Sequence, residues 1–156
     1  MSGFRRDFDE RTGWLSAWRR FADKPSPARG GWWFTLGSLT LTALGIQIAT
    51  GILLATAYAP TPDHARESVW WIEHRVPAGA FVRALHLWGA SAIVVLAVLH
   101  LARVLYHGAY KRPRQENWWI GLVNLGLILA FAFTGYLLPW DQKGYWATVV
   151  GLRIAA

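Results

Sequence analysis

Three long stretches of this chain carry no charged side chain, and polar or charged segments separate them. The uncharged stretches include residues 33–58, 84–102 and 117–140. A helix needs about 20 mostly apolar residues to cross the hydrocarbon core of a bilayer. The pattern therefore predicts an all-α membrane protein with three transmembrane helices, at about 33–58, 79–107 and 117–139.

The segments outside these spans predict surface elements. Residues 1–30 are basic, and Trp14, Leu15, Trp18 and Phe21 recur at helical spacing, which favours an amphipathic surface helix at about 11–22 over a disordered basic leader. Residues 59–80 are expected to form a polar loop, with His64 and His74 facing solvent. A short amphipathic helix is expected at about 141–152. The chain thus divides into a basic segment, 1–30, and a membrane domain, 31–156.

Composition and charge support the membrane interpretation. The chain is 54% hydrophobic and contains 11 Trp among its 156 residues. Its net charge of +7 comes from residues that flank the apolar stretches and form no patch on a soluble domain, so nucleic-acid binding is not expected. The N-terminal segment and the segment 108–116 hold most of these charges, which places both in the cytoplasm by the positive-inside rule. The chain has no cysteine.

The second apolar stretch contains two histidines in a distinctive arrangement. His86 and His100 are 14 residues apart, so on a helix they share one face at depths about 21 Å apart. Arg83 and Arg103 each lie three residues outside a histidine. One histidine in an apolar span could serve only as a hydrogen-bond donor between helices. Two on one face predict axial ligands of two stacked haems, with the arginines placed for the haem propionates.

Glycines repeat the same interval on the other two stretches. Gly37 and Gly51 are 14 residues apart, as are Gly121 and Gly135. Small residues are common wherever helices pack closely, so any one of them could be explained by packing alone. Because two glycine pairs match the histidine interval, we favour the interpretation that they leave gaps for the edges of two haems at two depths. His107 lies near the cytoplasmic end of the same helix face and is interpreted as an interfacial histidine.

Four segments resemble the N-terminal half of cytochrome b, including cytochrome b6. They are IQIATG (46–51), RALHLWGAS (83–91), LHLARVLYHGAYKRPR (99–114) and GYLLPWDQKGYWA (135–147). The resemblance covers about residues 31–150. It implies a four-helix haem-binding bundle with histidines on its second and fourth helices. His86 then resembles the ligand of the low-potential haem b, and His100 that of the high-potential haem b.

The resemblance also implies roles for single positions. Gly37, Gly51, Gly121 and Gly135 resemble haem-contacting glycines, Arg83 and Arg103 resemble propionate partners, and Gln47 resembles a residue near the low-potential haem. The quinol-oxidation site would be lined by Pro139, Trp140, Asp141 and Gln142, of which Asp141 resembles the b6 version.

The implied function is that of a dihaem, quinol-oxidising core subunit of a cytochrome bc-type complex. One electron from quinol would go to a Rieske iron-sulfur protein and the other through the two haems, with protons released on the non-cytoplasmic side. A c-type cytochrome, a dimeric complex and a bacterial cell membrane are expected, with the N-terminus cytoplasmic. The chain would be inactive alone.

Two departures from the family pattern qualify this expectation. Cytochrome b6 has a cysteine two residues before its first glycine for covalent haem attachment, and this chain has Thr35 there, so no covalent haem is expected. The fourth helix has no counterpart, so the opposite ligand of each haem would come from outside this chain. A truncated gene or incomplete assembly is favoured over a split cytochrome b or a homodimer that supplies histidines in trans.

Two other functions fit part of the pattern. A haem-b membrane anchor of a dehydrogenase or hydrogenase also carries histidines on membrane helices, although the PWDQ segment argues against it. A non-redox membrane scaffold or transporter fragment could use the histidines as a proton path.

Overall fold

The computed structural model describes residues 31–155 together with the isolated residues 13, 16, 19 and 23. The amphipathic helix expected at 11–22 falls almost entirely outside the described residues. A short 3-10 turn, Trp32–Thr35, leads into five helices. They are α1 (Leu36–Ala55), α2 (Ala65–His74), α3 (Gly79–Tyr106), α4 (Gln115–Leu137) and α5 (Gln142–Ala155).

Three of these helices are long and apolar enough to cross a membrane. They are α3, α4 and α1 with its preceding 3-10 turn. At about 1.5 Å per residue, a 28-residue helix such as α3 extends over about 42 Å, more than the hydrocarbon thickness. The all-α fold with three membrane-length helices is therefore confirmed for the described part of the chain.

The segment between the first two membrane helices is not a plain loop. The expectation of a polar loop over 59–80 is wrong for Ala65–His74, which forms the ten-residue helix α2. Its buried residues are Ala65 and Ile72, and α2 packs against α3. His64 and His74 remain exposed, and His74 stacks on the Trp70 ring with centroids 4.7 Å apart. Charged residues on the outer face of α2 interrupt its apolar pattern, so the sequence did not indicate a helix here.

The turn from α2 into α3 is tight. Ala78, which precedes α3, has φ of 57°, in the left-handed region that costs a residue with a side chain some strain. Gly79 follows it, and a Cβ there would overlap the backbone carbonyl of Ile72. Only glycine fits at this position without moving the backbone, so α2 is held directly on the start of α3.

The buried core of the described residues lies mainly between α1 and α3. Leu36 and Thr50 from α1 and Ile93 and Ala97 from α3 are buried, and these two helices pack on each other. The two helices run antiparallel, because Gly37 lies next to His100 and Gly51 next to His86. Helix α4 packs on α3, and α5 packs on α4. Most other large apolar side chains of the spans face outward, as expected for helices that meet lipid or further helices.

Candidate functional site

His86 lies in the interface between α3 and α1, where Thr50 binds its ring. The distance from Thr50 Oγ1 to His86 Nδ1 is 2.8 Å. Gly51, the next residue of α1, provides the space, because a Cβ there would lie 3.3 Å from His86 Cε1. The ring is therefore held at its Nδ1 edge by one residue and accommodated by the next.

His100 lies 14 residues after His86, at the other end of the interface between α1 and α3, and it too lies against a glycine of α1. A Cβ at Gly37 would lie 3.0 Å from His100 Cε1, closer than the equivalent contact at Gly51. His100 Nδ1 is buried and has no hydrogen-bond partner among the described residues. Each histidine thus lies against its own glycine of α1, and among the described residues only His86 has a hydrogen-bond partner at Nδ1.

A cavity of about 600 Å³ opens beside His100. It lies between α1, α3 and α4, and both Gly37 and Gly121 line it, as do Arg103 and His107. Four residues predicted to bind haem, namely Gly37, His100, Arg103 and Gly121, therefore come together around one cavity. Its remaining wall is mostly apolar, with Thr40, Arg114, Asn117 and Asn124 as polar exceptions.

The two predicted propionate arginines have different surroundings. Arg103 stacks over the Phe34 ring, with its Cζ 4.2 Å from the ring centroid, and its buried Nε has no hydrogen-bond partner in the part of the chain that the structure describes. Arg83 instead forms an ion pair with Glu73 of α2. Arg103 lines the cavity and has no carboxylate partner among the described residues, whereas Arg83 is paired with a carboxylate within the protein.

The remaining predicted glycines and Gln47 have distinct contacts. A Cβ at Gly121 would lie 3.3 Å from Leu101 Cδ2, and one at Gly135 would have nothing within 4 Å. Gln47 packs on Gly89, where a Cβ would lie 2.7 Å from Gln47 Oε1. That oxygen is buried without a partner among the described residues. Gly135 therefore leaves open space on α4, while Gln47 is fitted closely into the interface with α3.

The Pro139 segment forms the connection between α4 and α5. Trp140 has φ of 48°, a left-handed conformation that is unusual for a side chain of this size. Asp141 Oδ1 accepts a 2.7 Å hydrogen bond from the Gly144 backbone N–H and so caps α5, which begins at Gln142. Pro139 and Trp140 are partly buried. Pro139, Trp140 and Asp141 thus form the turn, and Gln142 is the first residue of α5.

Tyr58 fixes this turn relative to α1. Its hydroxyl donates a 2.6 Å hydrogen bond to the Leu138 carbonyl, which joins the residues after α1 to the end of α4. Burial raises the pKa of the Tyr58 phenol above its ordinary value. Because Gly51 and His86 lie near this end of α1, the Pro139 turn is at the His86 end of the bundle.

Sequence reasoning missed the partners of the predicted residues. Thr50, Glu73, Phe34 and Tyr58 were not singled out, although Thr50 directly precedes Gly51. Ser and Thr in apolar helices commonly bond their own backbone, so their presence alone does not indicate a ligand partner. The Asp141 cap could have been found, because Asp before a predicted helix is a recognised N-cap signal.

The fold and the two histidine levels define a class: helical membrane proteins with paired histidine sites between their spans. Comparison with known proteins narrows that class. The family profile described as Cytochrome b/b6/petB matches residues 21–156. The chain belongs to the cytochrome b/b6 family.

Individual relatives agree with this assignment. The chain is 40% identical over 154 residues to the menaquinol:cytochrome c reductase cytochrome b subunit of Bacillus subtilis, covering 94% of this chain and 69% of that protein. It is 47% identical over 135 residues to cytochrome b6 of Heliomicrobium gestii, covering 86% of this chain and 63% of the relative.

A solved structure gives the same result for the fold. A chain of a hyperthermophilic respiratory Complex III superimposes with a TM-score of 0.83 at 31% sequence identity. The match covers 92% of this chain and 37% of that chain. The present chain therefore spans only part of the length of such relatives.

Proposed function

We propose that this chain is the haem-binding part of a quinol-oxidising cytochrome b, working within a cytochrome bc-type complex. The observation that carries the proposal is the convergence of His100, Gly37, Arg103 and Gly121 on one cavity. A flat, mostly apolar cofactor with an iron atom and two carboxylates would find an imidazole, two side-chain-free walls and a free guanidinium donor there.

The residues at each level would divide the work of holding haem b. His86 and His100 would each hold the iron of one haem b through an imidazole nitrogen. Bound haem supplies reversible one-electron transfer. Gly37 and Gly51 allow the imidazoles to sit against α1, and Arg103 has donors available for a propionate.

The Pro139 turn is the proposed quinol-facing element. Pro139, Trp140 and Asp141, with Gln142 directly after them at the start of α5, form a turn that Tyr58 and the Asp141 cap hold in place. The strained backbone at Trp140 is of a kind that clusters at ligand sites. The turn would orient quinol at the His86 end, next to a Rieske iron-sulfur protein that takes one electron, with a c-type cytochrome as the later acceptor.

The proposed orientation places the His100 end at the cytoplasm. Three basic residues, Lys111, Arg112 and Arg114, lie between α3 and α4, whereas the longer segment between α1 and α3 holds only Arg66 and Arg75. The positive-inside rule then places the N-terminus and the α3–α4 connection in the cytoplasm of a bacterial cell. The complex is proposed to be dimeric. Family membership speaks against a dehydrogenase anchor or a non-redox scaffold.

Spectroscopy of the assembled complex tests this function. We expect a b-type band in the reduced-minus-oxidised spectrum and two haems per chain by pyridine haemochrome. His86→Gln and His100→Gln should each remove one haem, and His64→Gln, which is exposed just before α2, should remove neither. Absence of haem from the purified wild-type complex would falsify the proposal.

A further inference from the structure

Thr50 makes three contacts that together fix the state of the His86 ring. Thr50 Oγ1 lies 2.7 Å from the Ile46 carbonyl, 3.3 Å from the Gln47 carbonyl and 2.8 Å from His86 Nδ1. A hydroxyl has one hydrogen to donate, and a carbonyl oxygen can only accept. The hydroxyl therefore has to use its hydrogen on a carbonyl or on the ring.

Only one assignment makes both of the two shortest contacts attractive. If the hydroxyl donated to His86 Nδ1, its lone pairs would face a carbonyl oxygen at 2.7 Å, which is repulsive. If it donates to the Ile46 carbonyl, its lone pairs are free to accept a hydrogen from His86 Nδ1. A neutral His86 then carries its proton on Nδ1 and presents the lone pair of Nε2.

His100 has no equivalent of this arrangement. Fourteen residues before Thr50, at the matching position ahead of Gly37, stands Leu36. Both positions are buried, with Leu36 1% exposed and Thr50 5% exposed. The α1 helix thus presents a hydroxyl before one glycine and a hydrocarbon before the other, and His100 Nδ1 has no hydrogen-bond partner within the described range.

From this asymmetry we propose that Thr50 is a positioning residue that acts through His86 and makes it the more strongly electron-donating of the two haem ligands. The inference rests on the proposed function. A ligand imidazole whose other N–H is hydrogen-bonded is more basic, which stabilises the ferric iron it binds. The Thr50 hydroxyl should therefore lower the reduction potential of haem at His86 and so contribute to the difference in potential between the two haems.

Redox titration of the assembled, haem-loaded complex tests the proposal. Thr50→Val keeps the shape and removes the hydroxyl. At a fixed ambient potential we expect the ratio of reduced to oxidised haem at the His86 level to rise three- to tenfold. The upper value corresponds to a shift of about 59 mV for one electron. The haem at His100 should titrate as in the wild type, and electron paramagnetic resonance of the ferric state should change only in the His86 signal.

Conservative variants separate the hydroxyl from the space it fills. Thr50→Ser retains the hydroxyl and should keep the wild-type potential, whereas Thr50→Ala lacks it and should follow Thr50→Val. If Thr50→Val loses haem, the Ser and Ala variants still differ by a single hydroxyl and decide the matter. Equal potentials in these two variants overturn the inference.

A reciprocal variant examines the other level. Leu36→Thr places a hydroxyl at the matching position and should lower the potential at His100 while leaving His86 unchanged. These outcomes are distinct from failure of the proposed function. A complex with two b-type haems that ignores every change at Thr50 would refute only the role of Thr50, whereas a wild-type complex without haem would refute the function itself.

Discussion

The two ends of α3 carry the same sequence signature, a histidine with an arginine three residues outside it, and differ in their surroundings. At the His86 end, Thr50 binds the ring, Glu73 pairs with Arg83, and α2 packs on the start of the helix. At the His100 end, Nδ1 and Arg103 Nε lack hydrogen-bond partners among the described residues, and a cavity of about 600 Å³ lies beside them. The histidine Nδ1 and the arginine have polar partners within the protein at the first end, and at the second end His100 Nδ1 and Arg103 Nε have none among the described residues.

Substitution of the α1 glycines should have the largest effect on haem binding at the two ends of α3. Gly37→Ala would bring a methyl group to 3.0 Å from His100 Cε1, and Gly51→Ala would bring one to 3.3 Å from His86 Cε1. The closer contact has to displace the imidazole, so Gly37→Ala should remove most of the haem at the His100 level. Gly51→Ala should remove less at the other level. Haem content per chain measures both, with Gly45→Ala, which meets nothing within 4 Å, as the control.

Substitution of the two arginines should have the second-largest effect on haem binding. Arg103→Gln should weaken haem retention at the His100 level by about 1.5–3 kcal/mol, the range for a hydrogen bond to a charged group. Arg83→Gln should weaken the other level less, because Arg83 is already paired with Glu73. Haem transfer to apomyoglobin measures the retention.

A double variant checks the reason given for that difference. Glu73→Gln would release Arg83 from its ion pair, so Arg83→Gln should matter more in that background. If both arginine variants lose haem equally in the presence of Glu73, the distinction between a neutralised and an available arginine is wrong.

The Asp141 cap gives a smaller effect, confined to the His86 end. Asp141→Ala removes the acceptor of the Gly144 N–H and should destabilise α5 by about 1 kcal/mol. Asp141→Asn can still accept this bond and should lose little. Thermal unfolding in detergent followed by circular dichroism compares the two. An Asp141→Asn variant as unstable as Asp141→Ala would show that charge, and not capping, matters at this position.

Tyr58 gives the smallest effect. Tyr58→Phe removes the hydrogen bond to the Leu138 carbonyl and should cost about 0.5–1.5 kcal/mol. Burial raises the pKa of this phenol in the folded protein, so its contribution to stability is complete below the unfolded pKa of about 10 and is lost as pH rises through the folded pKa. Unfolding measured across the alkaline range should therefore depend less on pH in Tyr58→Phe than in the wild type.

The sequence predicted the features that depend on periodicity. An interval of 14 residues is nearly four helical turns, so the shared face of His86 and His100 followed from counting. The match of Gly37 and Gly51 to those histidines followed in the same way, and the structure shows each glycine against an imidazole. The uncharged stretches similarly indicated the three membrane-length helices.

Features that depend on contacts between segments could not be predicted in this way. Helix α2 packs against α3, and this contact determines which side of α2 is buried. Glu73 reaches Arg83 because Gly79 permits a tight turn between the two helices. The hydrogen-bond partner of His86 could not be predicted, because the sequence does not show which residue of α1 lies next to His86 Nδ1. Charge and spacing identified Arg83 and Arg103 as equivalent, and only the fold shows that one of them has an internal partner.

The ion pair between Arg83 and Glu73 has a consequence for biogenesis. In the proposed orientation, the start of α3 has to be carried across the membrane during insertion, whereas Arg103 stays on the cytoplasmic side. Moving an unpaired arginine through hydrocarbon is costly, and a partner that cancels its charge lowers that cost. A hairpin of α2 and α3 could cross with this end nearly neutral, while Arg103 keeps its full charge and retains the other end in the cytoplasm.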